Sequence, residues 1–156
     1  MALRKISGRT EDKARLAQRP RVLYVEDEDT NWEVAEHALR GGYDLMRARN
    51  AQETFAALER ERFDLVLMDI QLSGSDLSGI DITKVLRGMP LARAATYDGV
   101  RLPTTPIVFV TAYGSLYSRE HLLAAGGTDM VAKPVCFPAM SLLMSRLIAR
   151  RVQATL

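Results

Sequence analysis

The sequence predicts an α/β fold in which a parallel sheet carries helices on both faces. Three observations predict it. Five short apolar runs alternate with five helix-like segments from Arg21 onward. The run Leu65-Val66-Leu67-Met68 is apolar without a break, as a strand covered on both faces requires. Glycine pairs stand where two helices should end, at Gly41-Gly42 and Gly126-Gly127, and Pro138 stands where the last helix should open. Strand and helix in strict alternation imply parallel strands joined by right-handed crossovers.

The first strand is Val22 to Val25, ending in Glu26-Asp27. Thr30-Asn31-Trp32-Glu33 has the spacing of a capping box, so the first helix is predicted to start there. Val34, Ala35, Ala38 and Leu39 form its predicted apolar face. Tyr43 to Ala48 is a more mixed second strand. Asn50, with Glu53 three residues on, caps the second helix, whose inner face includes Phe55 and Leu58. Leu65 to Met68 ends in Asp69. A loop rich in Ser and Gly, Gln71 to Ser78, leads to a third helix marked by Ile82, Val85 and Leu86. Gly88 to Thr105 is a long connection, with room for one helical turn at Leu91 to Ala95. Ile107 to Val110 is the fourth strand and ends in Thr111. Leu116, Leu122 and Leu123 are assigned to the fourth helix, and Met130 to Ala132 to a fifth strand ending in Lys133-Pro134. Pro138 opens the last helix, with Leu143 and Leu147 inward. It is predicted to end near Arg151, where Arg146, Arg150 and Arg151 would suit its dipole.

The bulk properties fit one domain. The chain has 156 residues, 47% of them hydrophobic, and a net charge of +2. That balance does not favour nucleic acid as the main partner. A lone cysteine, Cys136, can form no internal disulfide, and two histidines, His37 and His121, make no metal cluster with it. The longest apolar runs, such as Pro106 to Ala112, are far too short to span a membrane. The first twenty residues carry Arg4, Lys5, Arg9, Lys13, Arg15 and Arg19 and lack the apolar stretch of a signal peptide. A cytoplasmic location is the default expectation.

The chemistry gathers at the strand ends. Glu26-Asp27, Asp69, Thr111 and Lys133 each follow a strand, and in a parallel sheet those carboxyl ends share one edge, where ligands of open α/β sheets bind. Three carboxylates brought together need protons or a cation, and hard oxygen ligands select Mg²⁺ or a similar divalent ion. Lys133 and Thr111 would meet phosphate oxygens as a point charge and a hydroxyl donor. Such a set offsets the charge that builds in phosphoryl transfer, with Asp69 as nucleophile.

Val22 to Asp27 (VLYVED), Asp64 to Gln71 (DLVLMDIQ), Ile107 to Gly114 (IVFVTAYG) and Met130 to Val135 (MVAKPV) together resemble the receiver domain of two-component response regulators. The resemblance implies a doubly wound, five-stranded sheet of order 2-1-3-4-5. The basic first twenty residues read as an extension over 1–20, ahead of a receiver domain over 21–152 and a tail over 153–156. The resemblance makes Asp69 the phosphoacceptor. Glu26, Asp27, Asp69 and the backbone carbonyl of Gln71 become ligands of Mg²⁺ (or Mn²⁺). Thr111, Ala112 and Lys133 become the phosphate-binding and switch set, and the Lys133-Pro134 bond is expected to be cis. Met130 stands in the switch-aromatic position, and Gln71 and Tyr113 in positions that tune dephosphorylation.

The implied partners are a sensor histidine kinase or a histidine phosphotransfer protein, and a downstream protein target. No direct DNA binding and no membrane association are expected, and a homodimer is an option. The resemblance makes the chain a signalling phosphoacceptor, catalysing at most its own phosphorylation and dephosphorylation.

The sequence departs from the family pattern at four places. Glu26 replaces an aspartate. Ser73 stands where a proline is usual, in a loop about two residues longer than usual. The connection after Gly88 is also longer. Met130 is not aromatic. Three rival readings follow. One is a receiver fold that binds partners without phosphorylation, and another is the first part of a longer regulator. The third is a haloacid-dehalogenase-type phosphatase, suggested by Asp27-Glu28-Asp29-Thr30, but with nothing acidic after Lys133.

Overall fold

In the computed structural model, described for residues 18–97, 99–112 and 116–155, β1 (Arg21–Val25), β2 (Asp44–Ala48), β3 (Leu65–Asp69), β4 (Ile107–Ala112) and β5 (Asp129–Lys133) form one sheet. All neighbours pair in parallel, and the order is β2-β1-β3-β4-β5. Five α-helices occur among the described residues: α1 (Asp29–Leu39), α2 (Ala51–Arg60), α3 (Gly79–Leu86), α4 (Arg119–Ala124) and α5 (Phe137–Thr155). The expected class and strand order are those observed.

The sheet buries both faces, which explains the unbroken apolar runs. Leu23, Val25, Val66, Met68, Ile107 and Phe109 pack with Phe55, Ile82, Leu86 and Leu122 from α2, α3 and α4. The alternate residues Val22, Tyr24, Leu65, Leu67, Val108 and Val110 pack with Ala35 and Leu39 of α1 and Met140, Met144 and Leu147 of α5. Adjacent strand residues point to opposite faces, so β3 must be apolar at every position. Burying a side chain of this size stabilises by about 1.5–3 kcal/mol, which makes the six central sheet positions on each face the main cohesive element. β2 is an edge strand with exposed positions, which accounts for its mixed sequence.

Asn50 caps α2 as expected. Its side chain accepts from the Glu53 N–H at 2.8 Å, and Glu53 accepts from the Arg49 N–H at 2.6 Å. Ser78 caps α3 and Ser118 caps α4 in the same way. The extra turn in the long connection is a 3₁₀ segment, Ala92–Tyr97.

Four expectations need correction. Thr30 is not a cap: α1 starts at Asp29, Glu28 holds the cap position, and no side chain caps that end. The first turn begins two residues earlier than a Thr30 cap would set it, where the Arg47 guanidinium grips Asp29 at 2.7 Å. Val34 and Ala38 are exposed, since α1 turns Trp32, Ala35 and Leu39 inward. Leu116 is 98% exposed and precedes α4, while Leu123 is also exposed and only Leu122 is buried. Finally, α5 continues to Thr155. Arg146, Arg150 and Arg151 therefore stand in its body, where the dipole argument does not apply.

Candidate metal and phosphoryl site

The rim at the carboxyl ends of β1, β3 and β5 brings four predicted residues together. Glu26, Asp27 and Asp69 each offer a carboxylate oxygen, and these lie within 4.8 Å of one another. The Lys133 ammonium stands 3.3 Å from Asp69 Oδ2 and 3.4 Å from Glu26 Oε2. Glu26 is wholly buried and Asp69 is 7% exposed. One ammonium against three carboxylates leaves a deficit of positive charge in a poorly solvated place.

The electrostatics follow from that deficit. Burial, then the hydrogen bond and charge of Glu26, push the Asp69 carboxyl up to about 7, and Lys133 offsets only part of this. Burial opposes the Lys133 charge, but the Asp69 and Glu26 carboxylates outweigh it and hold the ammonium above its usual range. Burial, with the Glu26 and Asp69 charges beside it, also pushes the Tyr24 phenol far up. Shared protons and an ammonium are what a cluster of this kind uses when no divalent ion neutralises it. The all-oxygen donor set suits a hard cation such as Mg²⁺.

Local structure holds each carboxylate in place. Asp69 is the last residue of β3, and its backbone abuts Gly79 at the start of α3. A Cβ on Gly79 would lie 1.9 Å from the Asp69 carbonyl oxygen, so only glycine permits this approach. The Asn31 side-chain amide donates to Glu26 Oε1 at 2.8 Å. Asp27 Oδ2 accepts the Ser73 N–H at 2.9 Å, a bond that proline at this place could not make. Arg47, its side chain 10% exposed, donates to the Glu26 carbonyl at 2.9 Å and pairs with Asp29. Charge and hydrogen bonding from Arg47 hold the Asp29 carboxyl below its usual range.

Thr111 is the penultimate residue of β4, one position past the Val110 that pairs with Asp69; it is buried, with its hydroxyl donating to the Ala112 carbonyl at 3.3 Å. Ala112 is exposed and pairs in register with Lys133. Gln71 begins the loop after Asp69 and is exposed. The Lys133-Pro134 bond is cis. Met130 is half-buried and packs against the α2–α4 side of the core. Tyr113 lies outside the described residues, as do residues 1–17 of the N-terminal extension. Cys136 is exposed, and His37 and His121 sit on exposed helix positions. Asp29 and Thr30, from the phosphatase-like motif, are in the first turn of α1, with Asp29 committed to Arg47.

Sequence reasoning missed Asn31, Arg47 and Gly79. Asn31 carried a faint signal, as a first-turn amide soon after an acidic pair. Arg47 carried none, because its role depends on β2 lying beside β1.

Comparison with known proteins names the family. The response regulator receiver domain matches residues 22–145, and the chain belongs to that family. It is 38% identical over 118 residues to the response regulator protein PilR of Pseudomonas aeruginosa, covering 75% of this chain but only 23% of PilR. It is 30% identical to the polar-differentiation response regulator DivK of Brucella anthropi, covering 75% of this chain and 86% of DivK. Among solved structures, it is similar to the receiver domain of sensor histidine kinase PA1611 from Pseudomonas aeruginosa. There the TM-score is 0.67 and the identity 29%, over 85% of this chain and 99% of the other. That structure has a magnesium ion coordinated in its active site cleft. No helix among the described residues is long and apolar enough to cross a membrane.

Proposed function

We propose that the chain is a single-domain response regulator that accepts a phosphoryl group on Asp69. The donor is a phosphohistidine on a sensor histidine kinase or a histidine phosphotransfer protein. The observation that carries this is the Lys133 ammonium 3.3 Å from Asp69 Oδ2 in a pocket with two further carboxylates.

Glu26, Asp27, Asp69 and the backbone carbonyl of Gln71 would hold Mg²⁺ (or Mn²⁺). Bound there, the ion would neutralise the carboxylates and draw charge from the phosphoryl oxygens. Asp69 supplies the oxygen that attacks phosphorus. The P–N bond of the donor breaks, and the departing imidazole keeps the electron pair and takes up a proton. Lys133 then trades its contact with Asp69 for a phosphoryl oxygen. Thr111 rotates its hydroxyl from the Ala112 carbonyl to donate to another, with Ala112 bordering the same site. Gln71 and Tyr113 flank the approach of water and so tune hydrolysis of the aspartyl phosphate.

Met130 has no ring to rotate, so the Thr111 movement is relayed by displacement of β5 and the adjoining surface. Output is through binding a downstream protein along α4, β5 and α5, with a homodimer as one form. It involves neither DNA contact nor a membrane, in a cytoplasmic setting. The alignment with most of DivK supports a stand-alone regulator. The short share of PilR supports the alternative, a receiver within a longer regulator. Detecting the protein in its own cells separates them by size.

Incubation with acetyl phosphate and Mg²⁺, followed by mass mapping, tests the chemistry. A label on Asp69 that is lost in Asp69→Asn is the expected result. No label on the wild type would leave a phosphorylation-independent binding module.

A further inference from the structure

The connection from Gly88 to Thr105 does not run free over the surface. It is fastened at both ends and in its middle. Arg93 pairs with Asp81 of α3 at 2.8 Å. The Leu102 N–H donates to the Leu86 carbonyl at 2.7 Å, and the Arg87 guanidinium donates to the Leu102 carbonyl. Between these anchors Ala94 is buried. The Tyr97 ring lies stacked on Phe55 of α2, with centroids 4.5 Å apart and planes 13° from parallel.

What Tyr97 does beyond packing is aimed at the phosphoacceptor loop. Its hydroxyl donates to the Asp76 carboxylate, at 3.0 and 2.9 Å from the two oxygens. Asp76 lies in the loop between Asp69 and α3. The same loop is tied at Ser75, whose hydroxyl accepts the Ala51 N–H at 3.0 Å and donates to the Leu77 carbonyl at 2.7 Å. It is closed at its base by the Gly79 N–H on the Ile70 carbonyl at 2.8 Å. At its tip the Ser73 N–H meets Asp27. The residues from Ile70 to Ser78 thus form a loop whose far side depends on contacts made by the Gly88–Thr105 connection. The loop and the connection meet at Asp76 and Tyr97.

We propose that the Gly88–Thr105 connection is a strap and that Tyr97 is a positioning residue for the metal site. Through Asp76 it holds the loop so that Gln71 stands beside Asp69 and the Ser73 N–H reaches Asp27. This rests on the reading of Glu26, Asp27 and Asp69 as a divalent-cation site. The stack on Phe55 fixes the ring, and the hydroxyl transmits that fixity to the loop. A hydrogen bond to a carboxylate orders a segment that would otherwise sample other conformations.

Tyr97→Phe separates the two contributions, because it keeps the stacked ring and removes only the hydroxyl. Two readouts are taken: Mg²⁺ affinity by calorimetry with the metal alone, and exchange of the Ser73 amide by NMR in metal-free protein. The expected result is Mg²⁺ binding weakened by about threefold to tenfold and Ser73 exchange faster by a similar factor, as loss of one such bond implies. Asp76→Ala should match it, and the double variant should lose no more than either alone. A melting temperature close to wild type in Tyr97→Phe shows that the fold is intact. Wild-type Mg²⁺ affinity and wild-type Ser73 exchange in both single variants would overturn the strap. A wild type that binds no Mg²⁺ would instead overturn the metal-site reading, and the metal-free exchange would still decide the strap.

Discussion

At the residue scale, Asp69 is held between a buried position and one nearby ammonium. Its raised pKa means that the folded chain binds a proton at this carboxyl more tightly than the unfolded chain does. Between the ordinary carboxylate range, about 4, and about 7, the native state holds more protons. The stability this group contributes is therefore full below that window and falls as pH rises through it. Metal-free protein should lose melting temperature across this range, and Asp69→Asn should flatten the slope; thermal scans at stepped pH measure it. A cation needs the ionised carboxylates, so apparent Mg²⁺ affinity should rise with pH over the same window. Affinity independent of pH there would contradict the assignment of Asp69 as a ligand. Lys133→Met keeps the stem and removes the charge. Labelling of Asp69 by acetyl phosphate should slow by roughly 100-fold, the usual effect of losing a pre-placed electrostatic partner.

At the element scale, the strand ends deliver the chemistry and the helix starts fix its geometry. Gly79 is the tightest joint, because α3 begins against the backbone of Asp69. Gly79→Ala must push the two apart. We expect a loss of about 3 kcal/mol or more by denaturant unfolding, with weaker Mg²⁺ binding. Asn50→Ala removes the cap of α2, next to Ala51, whose N–H holds Ser75 of the loop after Asp69. It should cost about 1 kcal/mol by denaturant unfolding. Much at this scale was legible in the sequence. Asn50 with Glu53, and the all-apolar β3, are local patterns that the fold kept. The first helix start was not, because a good capping box at Thr30 lost to Arg47, a partner from the neighbouring strand. Leu116 misled for a similar reason. Its apolar side chain fits a helix face in sequence, yet the loop before α4 leaves it in solvent.

At the scale of the whole molecule, a buried excess of negative charge is a standing cost that a bound cation relieves. A ligand that binds only the folded state adds RT ln(1 + [L]/Kd), about 2.7 kcal/mol at a hundredfold excess over Kd. Mg²⁺ should thus raise the melting temperature in proportion to the logarithm of its concentration, chelator should reverse this, and Asp27→Ala should abolish it. No Mg²⁺-dependent shift in wild-type protein would count against a metal held by the folded pocket.

The sequence by itself determined the α/β class, the order of elements, and the placing of Glu26, Asp27, Asp69, Thr111 and Lys133 at strand ends. These are properties of periodicity and sequence position, which local chemistry sets. Only the tertiary structure decided how the pocket is held: Arg47 under Glu26, Ser73 on Asp27, Gly79 against Asp69, and Tyr97 on Asp76. Each of those contacts joins residues at least ten positions apart in the chain. A contact between distant segments leaves no periodic trace in either one.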